Sequence, residues 1–392
     1  MNNTNQSKHR TLALDGLRGF AALWVVAFHV YLCGAPTNRL GYAVELFCDR
    51  GWIGVQIFFV LSGYLITGIL LDSANRSDYL TRFFFRRALR IFPVYYLTLV
   101  IFLLILPACG LEPISLRHSL DAVHAPSFWT RLGQSPIWLY FSNWVTPMGW
   151  PNHGLPHIWS LAVEEQFYLV WPFVCLLREP RKVLMASIAL VVGCLAYRVI
   201  DGHALGQVKM YLWTTCRADA LGMGAALAAL QRMPSARLAF QRLTRHGLVL
   251  AGMLLVVLGL ITKAMAPFNP VTEIWAPTLD ALAFALLIAS LLREGPPHPV
   301  GRLLAWKPIR SVGTYSYAIY LFHKPIHDNL GVPLLRWMHL DLSHDTLGSV
   351  VYMVALMALV YLLAAFSFHF FESPLLRARD GIWGRRLALS AS

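Results

Sequence analysis

Residues 52–71 read WIGVQIFFVLSGYLITGILL, twenty positions without one charged side chain. At 1.5 Å per residue such a run, as a helix, spans about 30 Å, the thickness of a bilayer's hydrocarbon core. A helix that is apolar on every side has no face to offer water, so its surroundings are lipid or other apolar helices. Nine further apolar stretches of about this length lie near 12–33, 86–107, 157–178, 183–200, 211–231, 247–265, 274–292, 314–331 and 347–371. The expected fold is an all-α, polytopic integral membrane bundle of about ten transmembrane helices. Pro93, Pro151 and Pro156 fall in or beside the third and fourth stretches, where proline kinks or ends a helix, so those boundaries are the least defined.

Composition agrees. Of 392 residues, 57% are hydrophobic and 14% charged, against about a quarter charged in soluble domains. The excess of 33 Lys and Arg over 20 Asp and Glu, a net +13, has a topological source, because the cations cluster in alternate connections. One set comprises Lys8 and Arg10, then Arg76, Arg82, Arg86, Arg87 and Arg90, then Arg178, Arg181 and Lys182. Arg232, Arg237, Arg242 and Arg245 continue it, followed by Arg293, Arg302, Lys307 and Arg310, and by Arg377, Arg379, Arg385 and Arg386. The longest connection of the other set, 108–156, holds only Arg117 and Arg131 beside Trp129, Trp138, Trp144 and Trp150. The positive-inside rule then makes both termini cytoplasmic and the 108–156 loop outward-facing. A loop of that length is usually functional, and its apolar piece from Ile137 to Trp144 reads as a re-entrant or interfacial segment. No basic-aromatic module argues for nucleic acid. The six cysteines form no CxxC pair and read as packing residues. The polar start MNNTNQSKHR leads into the first helix without a small-residue cleavage site, so that helix is expected to be retained. Residues 1–380 read as one membrane domain and 381–392 as a cytoplasmic tail.

Chemistry-bearing residues stand out against this apolar background. In LDGLRGFAALWVVAFHV, Arg18 and His29 are eleven residues apart, three turns plus roughly 20°, so they share a face about 16 Å apart along the axis. Intramembrane ionisable groups are costly and face a bundle interior or a cavity. Histidine titrates near neutrality and suits a general base, although a neutral ring satisfied by a neighbouring helix fits equally well. In FFFRRALRIFPVYY, Arg86, Arg87 and Arg90 fall on one side of a helix. Their forked donors match phosphate oxygens, and a topology anchor explains them as well. HIWSLAVEEQFYLVWP places Glu164 and Glu165 inside the fourth stretch. Neighbouring residues point about 100° apart, so only one of the two is expected to face a site. Glu164, on the face of Ser160 and Tyr168 and at the depth of His29, is the candidate to orient or charge that imidazole.

Weaker signals follow the same logic. Arg217 and Asp219 in TTCRADALGMGAALAAL suggest an internal ion pair on a helix whose Gly and Ala positions allow close contact. Ser316, Tyr320 and His323 share a face before Pro325, either lining a cavity or packing. Glu372 reads as a structural ion-pair partner. His118, His124, His153 and His157 lack regular ligand spacing, and no metal is expected.

Seven motifs in order, LDGLRGFAAL, GVQIFFVLSGYLI, RRALRIFP, HIWSLAVEEQFYLVWP, RADALGMGAALA, YSYAIYLFHKPI and FFESPLL, make almost the whole chain resemble the membrane acyltransferases of acyltransferase family 3. The resemblance implies a ten-helix domain in the cytoplasmic membrane of a bacterium. Such a domain takes an acyl group, usually acetyl, from cytoplasmic acyl-CoA and delivers it to a hydroxyl. Acceptors include cell-envelope or exported glycans, lipid-linked saccharides and small molecules such as macrolides. By match, His29 resembles the catalytic histidine and Arg18 its helix partner. Arg86, Arg87 and Arg90 resemble the donor-side arginines, and Glu164 the carboxylate of the WSL-type motif. Gln56 stands where the family commonly has an acidic residue, so a supporting carboxylate, if one is needed, would be Glu164 or Asp219. Some relatives carry a fused secreted domain, and its absence from this sequence favours a stand-alone enzyme. A glycan or lipid-linked sugar transporter is the competing class, because charged residues and broken helices also mark transport paths.

Overall fold

A computed structural model describes residues 2–109, 135–149, 155–264 and 270–377. Ten long helices build it: α1 Asn2–Val30, α2 Gly54–Ser73, α3 Tyr79–Val100, α4 Trp159–Cys175 and α5 Pro180–Leu205. These are followed by α6 Thr214–Gln231, α7 Arg237–Ala264, α8 Pro270–Leu291, α9 Lys307–Ile326 and α10 Thr346–Ser367. Each overlaps one of the ten apolar stretches, and no strand occurs among the described residues. Seven of them, α1, α2, α3, α5, α7, α8 and α10, are long and apolar enough to cross a membrane on composition alone. Of the other three, α4 has 17 residues, while α6 carries Arg217 and Asp219, and α9 carries Lys307, Arg310, His323 and Lys324. The chain is a polytopic α-helical membrane protein.

One departure from the expected boundaries is α3, which starts at Tyr79 and runs through Pro93. The arginine-rich connection is therefore mostly helix. Arginine is a good helix former, and its long stem lets a charge reach the interface from within a helix. Pro93 removes one backbone donor, which a packed membrane helix tolerates. At the other uncertain boundary, Pro156 opens a short 3-10 turn, Pro156–Ile158, and α4 begins directly after it.

Backbone contact locks the centre. A side chain at Gly63 would run into the Leu221 carbonyl, and one at Gly224 into the Val60 carbonyl, so α2 and α6 touch main chain to main chain. Gly19 and Gly313 do the same for α1 and α9. Around this centre, α5, α7 and α10 turn out faces that carry Ile200, Leu260 and Leu362 at more than three-fifths exposure. In this composition those faces meet lipid.

The buried ion pair differs from the expected one. Asp219 pairs with Arg198 of α5 at 2.8 Å, and both side chains are fully buried. Arg198 also donates to the Ile274 carbonyl at 2.9 Å, to the Cys216 carbonyl and to Thr278, while Thr278 donates to Asp219 at 2.6 Å. Three helices, α5, α6 and α8, are joined in one satisfied network. Arg217 cannot join it, because residues two apart on a helix point about 200° apart. It lies instead over the rings of Tyr211 and Trp159, at 5.1 and 5.8 Å from their centroids.

Two ends of the bundle are defined by contacts between helix termini. At the arginine-rich end, Arg232 grips Asp72 through two bonds of 2.6 and 2.7 Å, and Tyr79 donates to the Pro172 carbonyl. At the opposite end the 135–149 segment packs over α3, α4 and α6. Tyr95 and Tyr96 donate to the carbonyls of Ile137 and Trp138, and Asn143 donates to Thr214. Side chains of α3, α4 and α6 thus bond to this segment, which is itself built of short helical turns. His118, His124, His153, Arg117, Arg131, Trp129 and Trp150, and the expected tail 381–392, lie outside the described residues.

Candidate active site

Two cavities share part of their lining. The wider, about 470 Å³, opens at the arginine-rich end between Asp15, Arg18, Tyr64, Arg87, Arg90 and Gln231. The narrower, about 100 Å³, lies between Ser62, Ser160, Glu164, Glu165, Tyr168 and Tyr320. Arg18, Arg87 and Arg90 border both, so α1 and α3 bring three guanidiniums to the junction. Arg86, on the same helix as Arg87 and Arg90, borders neither.

Both Glu164 and Glu165 border the narrow cavity. The expectation that only one of them faces the site was too strict: two side chains 100° apart flank the two sides of a helix that forms the cavity wall. Glu164 accepts a hydrogen bond from Tyr168 at 3.2 Å, and Tyr168 in turn meets Ser62. Arg87 lies over the Tyr168 ring, 5.2 Å from its centroid. The described contacts of Glu164 thus face the arginines, and the partner of His29 is a different residue.

That partner is His323. Nδ1 of His29 lies 3.1 Å from Nε2 of His323 and 3.0 Å from the Val25 carbonyl. His323 is fully buried. The ring of His157 packs against it edge-on, with centroids 5.1 Å apart. Between this imidazole group and the narrow cavity stands Tyr320. Its hydroxyl donates to the His157 carbonyl at 2.6 Å, which leaves Ser160 to donate to Tyr320 at 2.7 Å. The shared face of Ser316, Tyr320 and His323 therefore lines the cavity with its first two members and meets His29 with the third. Among the described residues no group of three His, Cys, Asp or Glu side chains is arranged to hold a metal ion.

The sequence of this chain is matched by the model of a known family. The model described as an acyltransferase domain covers residues 11–368. The chain belongs to that acyltransferase family. Among its relatives, the peptidoglycan O-acetyltransferase OatA of Listeria monocytogenes is 29% identical over 95% of this chain and 57% of its own length. The putative peptidoglycan O-acetyltransferase YrhL of Bacillus subtilis is 32% identical over 94% of this chain and 55% of its own. The O-acetyltransferase OatA of Staphylococcus aureus is 26% identical over 92% and 56%. The chain spans a little over half the length of the curated relatives it matches. No solved structure matches it.

Several contacts in this protein escaped the sequence. Gln56, fully buried, donates its amide to the Pro277 carbonyl at 3.4 Å. A carboxylate in that place has no proton to give the carbonyl, so the amide suits its α8 neighbour. Asp219, named as a possible substitute for the missing acid, is committed to Arg198. Arg198 itself and the joining of His29 to His323 left no spacing signal, because each contact runs between different helices and spacing reads only one.

Proposed function

We propose that this acyltransferase moves an acyl group, acetyl in the first instance, from a coenzyme A thioester at the cytoplasmic end to a hydroxyl of a cell-envelope glycan at the outer end. The protein then sits in the cytoplasmic membrane of a bacterium. The observation that carries this reading is the shared border of the two cavities: Arg18, Arg87 and Arg90 close the wide mouth and open the narrow passage. Guanidinium forks match phosphate oxygens, so the wide cavity suits the nucleotide diphosphate end of the donor. The passage beyond it suits an extended arm carrying the thioester toward Tyr320 and His29. The acceptor class is supported by the relatives named as peptidoglycan O-acetyltransferases.

His29 then stands where a cytoplasmic thioester meets an outward hydroxyl. It either removes the hydroxyl proton while the oxygen attacks the acyl carbon, or accepts the acyl group and passes it on. The test supplies labelled acetyl-CoA to membrane vesicles and follows a base-labile acetyl mass on envelope glycans. Label is expected in the glycan with the unaltered protein and is expected to be lost in His29→Ala at normal protein level. Transfer retained in His29→Ala overturns the reading, as does glycan movement without thioester consumption. Label trapped on the protein in a single turnover without acceptor selects the acyl-carrier route.

A further inference from the structure

The partners of the two facing imidazoles determine where their protons are. Nδ1 of His323 lies 2.7 Å from the Tyr320 carbonyl and 3.2 Å from the Ile319 carbonyl. Carbonyls only accept, so that nitrogen carries the hydrogen. Nε2 of His323 points at Nδ1 of His29, 3.1 Å away. Nδ1 of His29 also faces a carbonyl, that of Val25, at 3.0 Å, so it too is N–H. Two N–H groups cannot bond each other, so Nε2 of His323 holds a lone pair and His323 is neutral. One N–H, on His29, is shared between the Val25 carbonyl and His323. The lone pair of His29 is thereby assigned to Nε2.

We propose that His323 is a positioning residue that holds His29 in this tautomer and takes up the Nδ1 proton when Nε2 gains charge. The proposal rests on the reading of His29 as the group that acts on the acceptor. As the acceptor oxygen bonds to the acyl carbon and the carbon–sulfur bond breaks, the hydroxyl proton goes to Nε2 of His29. The Nδ1 proton then moves onto Nε2 of His323, and one positive charge is spread over two rings. Returning that proton lets His29 protonate the departing thiolate, so alcohol and thioester become ester and thiol with both imidazoles neutral again. If the acyl group itself sits on Nε2, the same Nδ1 proton relieves the acyl-imidazolium charge. The surroundings leave this proton few alternatives. His323 is fully buried, and His157 covers it with a ring whose own Nε2 is bound to the Leu321 carbonyl at 3.2 Å. The Val25 carbonyl can hold the hydrogen bond without taking the proton.

Nitrogen-15 NMR of histidine-labelled, unaltered protein reads the tautomers directly, with resonances assigned through His29→Ala. The expected pattern is a protonated Nδ1 and a bare Nε2 on both rings. A protonated Nε2 on neutral His29 overturns the proposal. Kinetics supply the second readout. His323→Leu is expected to lower kcat on the order of 100-fold with KM for acyl-CoA unchanged, because the arginine cavity is untouched. His323→Gln offers an oxygen that accepts the His29 N–H but takes no proton, and is expected to recover part of that loss. An inactive His29→Ala beside a His323→Leu with ordinary kcat overturns the dyad alone. A His29→Ala with ordinary transfer overturns both the dyad and the functional reading beneath it.

Discussion

Arg87 and Arg90 border both cavities while Arg86, one residue from Arg87, borders neither, so the three should differ in their effect on the donor. A hydrogen bond to a charged group contributes about 1.5–3 kcal/mol, a factor of roughly 10–100 in affinity. Arg87→Gln or Arg90→Gln is therefore expected to raise KM for acyl-CoA at least about tenfold with little change in kcat, and Arg86→Gln to leave it nearly unaltered. Donor titrations on membranes holding equal protein check the contrast, and equal effects at all three positions would return them to the role of topology anchors. The three look alike in sequence because periodicity gives a shared side of α3 without saying where the cavity edge cuts that side. Arg18 and His29 were readable from one helix, since an eleven-residue spacing fixes a common face. His323 was readable as a member of a face but not as the partner of His29, because that pairing depends on how α9 lies against α1. Glu164 was assigned to His29 by depth alone, and depth does not decide which neighbour a carboxylate faces.

Between elements, two kinds of contact hold the centre, and each makes a prediction. The Arg198–Asp219 pair at 2.8 Å joins α5, α6 and α8 with both groups out of reach of solvent. Removing one partner strands a buried charge, which costs about 3–5 kcal/mol, whereas replacing both by apolar residues of similar size is far milder. Asp219→Leu alone is expected to lower the thermal midpoint in detergent sharply, and Arg198→Met with Asp219→Leu to recover most of the loss. The glycine contacts argue similarly. Gly224→Leu drives a side chain into the backbone of α2, while Gly252 has nothing within 4 Å of an added carbon. The first is expected to abolish folded protein on size-exclusion chromatography, and Gly252→Leu to leave its yield near normal. The existence of all ten long helices was legible because apolar length is a local property. Three that carry charged residues inside them, α4, α6 and α9, were found because their apolar runs are otherwise long enough to span. Which glycine meets which carbonyl was hidden, because close approach is a property of pairs.

At the scale of the whole molecule, the alternation of cations and the contacts at helix termini together define one basic end, and the orientation of that end across the membrane can be read with a native probe. Of the six cysteines, Cys33, Cys48, Cys175, Cys194 and Cys216 are buried, and Cys109 alone is exposed. Cys109 follows α3, at the end of that helix away from its arginines, where the positive-inside rule places the outer surface. A membrane-impermeant maleimide applied to intact spheroplasts is therefore expected to modify the unaltered protein at a single site, and Cys109→Ser to abolish the labelling. In sealed inside-out vesicles the same reagent is expected to leave Cys109 untouched until detergent opens the membrane. The reverse pattern would put the arginine-bordered cavity on the outer side, away from any cytoplasmic thioester. The proposed direction of transfer would then fail even with every helix in place, because a charged thioester such as acyl-CoA does not cross the bilayer to reach a cavity on the far side. Labelling from both sides would instead mean that the burial of the other five cysteines is incomplete in the membrane, and mass mapping of the modified peptides separates that outcome from an inverted bundle.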